Sequence, residues 1–207
     1  MAKWYYDYFK DKNINTILEF GILHGGSAVL HNVLFHPAKY VGIDIISENK
    51  ELKNFIEENF HGRCSLYFNV SQDDKSKVSE IIEIEFKEPI DLIIDDASHL
   101  FELSLRSFEI SFPYLRPYGY YVIEDWGWSH RFNLKNYEPN KKGLPSLTNL
   151  AFLLIMALAS YPNIITKINI VNPSLLLIQR GPAEIPAKSE FSLHKMINLS
   201  LIHISEP

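Results

Sequence analysis

Apolar residues in this chain fall into short continuous runs, and between the runs they recur every three or four positions. The runs are Thr16-Ile17-Leu18-Glu19-Phe20, Tyr40-Val41-Gly42-Ile43-Asp44, Ser65-Leu66-Tyr67-Phe68, Asp91–Asp95 and Tyr120–Ile123. Their length and their β-branched or aromatic content predict buried strands. The intervening spacing predicts helices over Ser27–Phe35, Glu48–Phe60, Asp73–Phe86 and Ser98–Leu115, after a short aromatic helix at Trp4–Asp11. Arg116-Pro117-Tyr118-Gly119 reads as a turn, Pro145–Ser160 as an apolar helix, and Ile165–Val171 with Ser174–Arg180 as a hairpin turned at Asn172-Pro173. Strands alternating with helices, joined by right-handed crossovers, make an α/β fold.

The expected architecture is a Rossmann-like, doubly wound, mostly parallel sheet closing with an antiparallel hairpin. At 207 residues the chain suits one α/β domain. That domain is expected over residues 1–181, followed by a weakly patterned extension over 182–198. Leu199–Pro207 reads as the in-frame translation of a sequencing-library adapter and takes no part in the fold reading. The loop from Trp126 to Leu144 is long for a compact domain, the kind of segment that is usually functional or mobile.

A formal charge of -5 argues against nucleic-acid binding, which relies on lysine and arginine. The one cysteine, Cys64, excludes an internal disulfide framework and reads as a small buried hydrophobe. Met1–Lys10 lacks the apolar core of a signal peptide, and Leu150–Ala159 is about half the roughly 20 residues that span a bilayer. A cytoplasmic location without a membrane partner is expected.

Two of the predicted strands end in carboxylates. Ile90-Asp91-Leu92-Ile93-Ile94 runs into Asp95-Asp96-Ala97-Ser98-His99, and Tyr120-Tyr121-Val122-Ile123 into Glu124-Asp125-Trp126. Buried parallel strands open ligand crevices at their carboxyl ends. Neighbouring strands lie roughly 4.8 Å apart, so Asp96 and Asp125 can share one hard cation, with His99 beside it as a candidate base. Glu124 is counted with the metal site, more as a support from behind than as a direct ligand, because strand alternation points it away from Asp125. Glu19 is either a third metal ligand or the organiser of the glycine turn that follows it. That turn, Gly21-Ile22-Leu23-His24-Gly25-Gly26-Ser27, lets backbone approach a ligand, but its spacing is not Gly-x-Gly-x-x-Gly, so pyrophosphate is not its natural guest. Asp44 ends the second strand, 25 residues after Glu19, where an acid can accept from both hydroxyls of an adenosine ribose. Gln72 and Asp73 either flank the adenine or belong to a helix cap.

Leu18-Glu19-Phe20-Gly21 with Gly25-Gly26-Ser27, Val41-Gly42-Ile43-Asp44, Asp95-Asp96-Ala97-Ser98-His99 and Val122-Ile123-Glu124-Asp125-Trp126 together resemble class I S-adenosylmethionine-dependent methyltransferases. The branch they resemble is that of the metal-dependent macrolide-sugar O-methyltransferases and cephalosporin-hydroxylase-type proteins, over about residues 15 to 180. The resemblance implies S-adenosylmethionine and Mg²⁺ as cofactors and a small hydroxylated acceptor, a sugar or other natural product. It implies that Gly21 and Asp44 hold the methionine and ribose parts of the cofactor, that Asp96 and Asp125 bind Mg²⁺, and that His99 is the base. Glu19, Gly25, Ser27, Gln72 and Asp95 are counted with the cofactor, and Glu124 with the metal. Two segments depart from the family pattern: Pro117-Tyr118-Gly119 stands for Pro-Gly-Gly, and Asn69-Val70-Ser71-Gln72-Asp73 for the more usual Gly-Asp-Gln. Trp126, Trp128, His130 and Arg131 either wall an acceptor pocket or pack the loop onto the core. The aromatic Trp4–Phe9 stretch is a lid, a contact in a homo-oligomer, or ordinary packing. The enzymatic alternative is an NAD-dependent oxidoreductase; the other is a cofactor-binding fragment without turnover.

Overall fold

A computed structural model describes residues 1–130, 143–185 and 190–197. Its centre is a seven-stranded sheet in the order β3-β2-β1-β4-β5-β7-β6. The strands are β1 (Thr16–Phe20), β2 (Lys39–Ile43), β3 (Cys64–Tyr67), β4 (Ile90–Asp95), β5 (Leu115–Glu124), β6 (Ile165–Asn172) and β7 (Leu175–Arg180). β1 to β5 pair in parallel, and β7 runs antiparallel to both β5 and β6. This is the doubly wound sheet with a closing hairpin that the alternation of elements predicts. The strand order reverses between β1 and β4, where such sheets open a crevice at their carboxyl edge.

Helices α1 (Ala2–Phe9), α2 (Gly26–Phe35), α3 (Lys50–Phe60), α4 (Lys75–Glu85), α5 (Phe101–Ser111) and α6 (Thr148–Ser160) accompany the strands. The starts of α3 and α4 follow from local chemistry. The Asn49 side chain accepts from Leu52 N at 3.0 Å and that of Asp74 from Lys77 N at 3.0 Å, each satisfying an N–H that the helix cannot. Period-two alternation then divides the core. Leu18, Phe20, Ile93, Tyr121 and Ile123 face one layer, with Phe108, Phe112 and the apolar side of α6. Ile17, Leu92, Ile94, Tyr120 and Val122 face the other, with Tyr5, Phe9, Ala28 and Ile56.

Several boundaries differ from the pattern reading. The segment after β4 becomes helical only at Phe101, because His99 takes a positive φ of 54°. That helix gives way to a 3-10 turn at Phe112–Tyr114, where Pro113 cannot continue it. β5 begins at Leu115, before the expected turn; Arg116–Gly119 bulges out of register, so Ile90 pairs with Leu115 and Leu92 with Tyr120. The weakly patterned extension contains a short helix, α7 (Leu193–Met196), whose Leu193 and Met196 join the core. Arg131 and Leu199–Pro207 lie outside the described residues.

Gly21 stands at the crevice with φ +86°, and a Cβ there would overlap the Asp96 carbonyl and lie 2.7 Å from Ala97 Cα. Gly26, the first residue of α2, would place a Cβ with nothing within 4 Å. Gly21→Ala is therefore expected to lower unfolding free energy by about 2–4 kcal/mol, from left-handed strain plus overlap. Gly26→Ala should be neutral or gain up to about 1 kcal/mol. Urea unfolding of the two variants measures the contrast.

Candidate active site

At the carboxyl edge, the β1–α2 turn, the end of β2, the segment after β3 and the segments after β4 and β5 enclose a cavity of about 730 Å³. Of the residues singled out in the sequence, Gly21, Ser27, Asp44, Gln72, Asp96, His99 and Asp125 line it. Glu19, Gly25, Asp95 and Glu124 do not.

Asp44 organises the nucleotide side. Its Oδ2 accepts from Ile22 N at 2.8 Å and Leu23 N at 2.7 Å, and its Oδ1 from Ile46 N at 3.1 Å. One carboxylate thus holds the glycine turn against β2. It retains lone pairs for a ligand, since two carboxylate oxygens offer about four acceptor positions. Ile45, Ile46, Val70 and Ser71 continue this wall, an apolar surface that no motif announced. Gln72 is 6% exposed and is no helix cap. Its amide nitrogen donates to Ser107 Oγ at 3.1 Å and to Asp95 at 3.3 Å, and its oxygen accepts from Ser98 N at 3.1 Å.

Asp95 corrects the sequence reading. Alternation along β4 turns it into the opposite core layer, 2% exposed, where Ser107 Oγ donates to it at 2.5 Å and Tyr121 Oη at 3.4 Å. Burial raises its pKa to about 6 against these hydrogen bonds. It holds Gln72 in place instead of lining the cavity. Gly25 is likewise structural: φ is +82°, and a Cβ would collide with the Leu52 side chain.

The acidic side is more concentrated. Register pairs Asp95 with Ile123, so Asp96 and Glu124 fall level on adjacent strands and Asp125 follows. Burial raises the Asp96 pKa to about 8, reinforced by Glu124, Glu19 and Asp125. Asp125 has a positive φ of 47° and donates its N–H to Ser174 O at 2.7 Å. His99 Nε2 is 3.8 Å from Asp96 Oδ1, and its ring lies 5.5 Å from that of Trp128. Leu23, His99 and Asp125 all line the cavity with positive φ, which marks backbone held by its surroundings.

Glu19 and Glu124 lie beneath this cluster, 0% and 5% exposed. Glu19 Oε2 faces His31 Nδ1 at 2.8 Å and accepts from Tyr40 Oη at 2.6 Å, while its Oε1 has no hydrogen-bond partner. Burial alone would lower the His31 pKa, but the adjoining Glu19 carboxylate outweighs it and the net shift is upward. Tyr5 Oη donates to Glu124 Oε1 at 2.6 Å. Burial raises the Glu124 pKa, and the Tyr5 hydrogen bond opposes the rise. Neither glutamate lines the cavity: strand alternation, which already pointed Glu124 away from Asp125, turns both toward α1 and α2. The sequence offered one sign of this layer, a histidine and an asparagine inside the otherwise apolar α2.

Trp128 is the one member of the expected acceptor wall found on the cavity among the described residues. Trp126 donates from Nε1 to Asn172 O at 2.7 Å, and His130 Nε2 pairs with Thr148 Oγ1 at 2.7 Å. Among the described residues no three His, Cys, Asp or Glu side chains form a ready-made metal cage, and no helix is long and apolar enough to cross a membrane. The absence of a cage does not count against Mg²⁺, which commonly keeps waters and takes only one or two carboxylates.

The chain superposes with a TM-score of 0.63 and 24% identity on the MycE methyltransferase of the mycinamycin biosynthetic pathway, in complex with Mg, SAH and mycinamycin VI, covering 87% of this chain and 48% of that one. An O-methyltransferase from Bacillus cereus in complex with SAH gives 0.60 at 19% identity, covering 87% and 80%. The fold is a methyltransferase fold. In sequence, the chain is 44% identical over 116 residues to L-olivosyl-oleandolide 3-O-methyltransferase of Streptomyces antibioticus, 53% of this chain and 27% of that protein. It is 36% identical over 101 residues to demethylmacrocin O-methyltransferase of Streptomyces fradiae, 49% and 23%. The match spans about a quarter of the length of these relatives. No family model matches the chain.

The crowded carboxylates have a pH signature. Asp96, raised from 3.8 to about 8, binds its proton more tightly folded than unfolded. Its contribution to stability is therefore complete below about pH 4 and is lost as pH rises toward 8. In EDTA, thermal unfolding should show this fall, and Asp96→Asn should flatten it between those limits. An unchanged slope in the variant would exclude Asp96 as the group responsible.

Proposed function

We propose that this protein is an S-adenosylmethionine-dependent O-methyltransferase that uses Mg²⁺ to methylate a hydroxyl of a small polyhydroxylated acceptor, a sugar or sugar-bearing natural product. The observation that carries this reading is the convergence of His99, Asp96 and Asp125 on the same cavity as the Gly21 turn and Asp44. A volume of about 730 Å³ suits a nucleoside-sized ligand with room for part of an acceptor. The matched relatives, named as O-methyltransferases of demethylmacrocin and of L-olivosyl-oleandolide, support the class of reaction. A fold neighbour holding Mg, SAH and mycinamycin VI supports the cofactor pair.

The residues fit both groups. On the nucleotide side, Asp44 offers acceptor lone pairs to ribose hydroxyls, and Ile45 and Val70 offer an apolar wall beside Gln72 for a flat base. On the acidic side the donors are carboxylate oxygens, the hard ligands that Mg²⁺ prefers. The raised pKa of Asp96 fits as well, because a cation is what lets neighbouring carboxylates ionise together. Asp96 and Asp125 would hold the ion, with Glu124 behind them. Bound there, Mg²⁺ would supply the positive charge that orients an acceptor hydroxyl and eases loss of its proton.

With S-adenosylmethionine bound, the acceptor oxygen would attack the methyl carbon in line, the carbon–sulfur bond would break to release S-adenosylhomocysteine, and the hydroxyl proton would have to be taken up. His99 Nε2 takes that proton, and Asp96 at 3.8 Å stabilises the imidazolium that forms. Trp128 packs beside the His99 ring and keeps it from rotating away. Positioning the acceptor against the cofactor supplies much of the remaining acceleration.

Isothermal titration with S-adenosylhomocysteine and with NAD tests the nucleotide reading; tighter NAD binding would overturn it. Asp96→Asn and Asp125→Asn are expected to abolish Mg²⁺-dependent acceptor binding and to leave S-adenosylhomocysteine bound. His99→Ala should lower turnover by roughly 10²–10⁴ without changing cofactor affinity, with partial recovery at higher pH as the acceptor hydroxyl ionises unaided. Full activity in excess EDTA would remove the metal from the mechanism.

A further inference from the structure

One side chain reaches the acidic cluster from a helix that no motif includes. Tyr5 lies on α1, 1% exposed, and its hydroxyl donates to Glu124 Oε1 at 2.6 Å across 119 positions of sequence. The ring is fixed by its neighbours: Trp4 packs edge-on at 5.1 Å, His31 edge-on at 4.9 Å, and Phe9 stacks at 6.1 Å. Glu124 falls level with Asp96 on the adjoining strand and immediately precedes Asp125. A glutamate has three side-chain torsions, and the Tyr5 hydroxyl restricts them by holding one oxygen on the helix side. Glu19 is held in the same way, both donors on Oε2, and its Oε1 is left without a partner in the buried layer beneath Asp96.

We propose that Tyr5 is a positioning residue for the divalent-cation site, acting through Glu124, and that α1 is thereby part of that site and not a peripheral packing element. The inference deepens the Mg²⁺ reading above and rests on it. Groups that orient metal-binding carboxylates from behind are typically worth about 10- to 100-fold in metal affinity.

The test is titration of the full chain with Mn²⁺, following free Mn²⁺ by electron paramagnetic resonance, for wild type, Tyr5→Phe, Glu124→Gln and the double variant. Tyr5→Phe keeps the ring and removes only the hydroxyl. It is expected to weaken Mn²⁺ binding about 10- to 100-fold with S-adenosylhomocysteine affinity unchanged, and to lower the unfolding temperature modestly, as loss of one buried hydrogen bond does. The double variant should bind Mn²⁺ no more weakly than Glu124→Gln, because both changes break one contact. Tyr8→Phe, on the same helix but away from Glu124, should match wild type. Wild-type Mn²⁺ affinity in Tyr5→Phe, or additive losses in the double variant, would overturn the inference and leave the metal reading standing. Parallel loss of Mn²⁺ and S-adenosylhomocysteine binding with a lowered unfolding temperature would reduce Tyr5 to packing and overturn it too. If the wild-type protein binds no Mn²⁺, the metal reading falls and the inference falls with it.

Discussion

Like charges at the end of a parallel sheet repel one another through a poorly solvated edge, and much of this molecule is arranged around that repulsion. Glu19, Asp96, Glu124 and Asp125 come from β1, β4 and β5, which lie side by side. Burial raises the pKa of Asp96 and shifts that of Glu124 upward, and the neighbouring carboxylates reinforce both shifts. The fold answers the repulsion from below with hydrogen-bond donors. His31 and Tyr40 meet Glu19, and Tyr5 meets Glu124. From above, a bound cation would answer the rest. Removing any one donor leaves a buried carboxylate less satisfied, which is why these contacts matter beyond their individual strength.

The nucleotide half of the edge works differently, through backbone instead of charge. Gly21 has no side chain because the chain after β4 occupies that space, and this close approach brings the β1 and β4 ends together where the strand order reverses. Asp44 then gathers the amides of the turn. A substitution at either position would disturb the cavity before any ligand contact was counted.

The closing hairpin contributes to the site as well as to the sheet. Ser174 O accepts from Asp125 N, Pro173 O from Gly127 N at 2.9 Å, and Asn172 O from Trp126 Nε1. The β6–β7 turn thus holds the Asp125 segment in its positive-φ conformation and aims the segment back over the cavity. On the other side, α6 packs its Leu150, Leu154 and Ala157 into the core layer that also contains Phe108 and Tyr121. The acidic edge is braced by α1 and α2 on one face and by the hairpin beyond β5.

Hydrophobic periodicity alone determined the strands, the order of strand and helix, and the closing hairpin, because burial on a parallel sheet demands apolar runs and burial on a helix demands a stripe. Carboxylates that terminate apolar runs were also legible, since nothing in a buried strand calls for them. Asp44, Asp96 and Asp125 could be singled out on that ground, and His99 by its place three residues after Asp96. Which way each acid faces was decided only by tertiary structure. Period-two alternation combined with the sheet's neighbours sent Asp95 toward Ser107 and Gln72 and sent Glu19 and Glu124 toward α1 and α2, away from the cavity. No local pattern links Tyr5 to Glu124, because the 119 positions between them are closed by packing of the whole domain. The left-handed backbone at His99 and Asp125 has the same origin: single residues do not favour it, and the surrounding contacts hold it there.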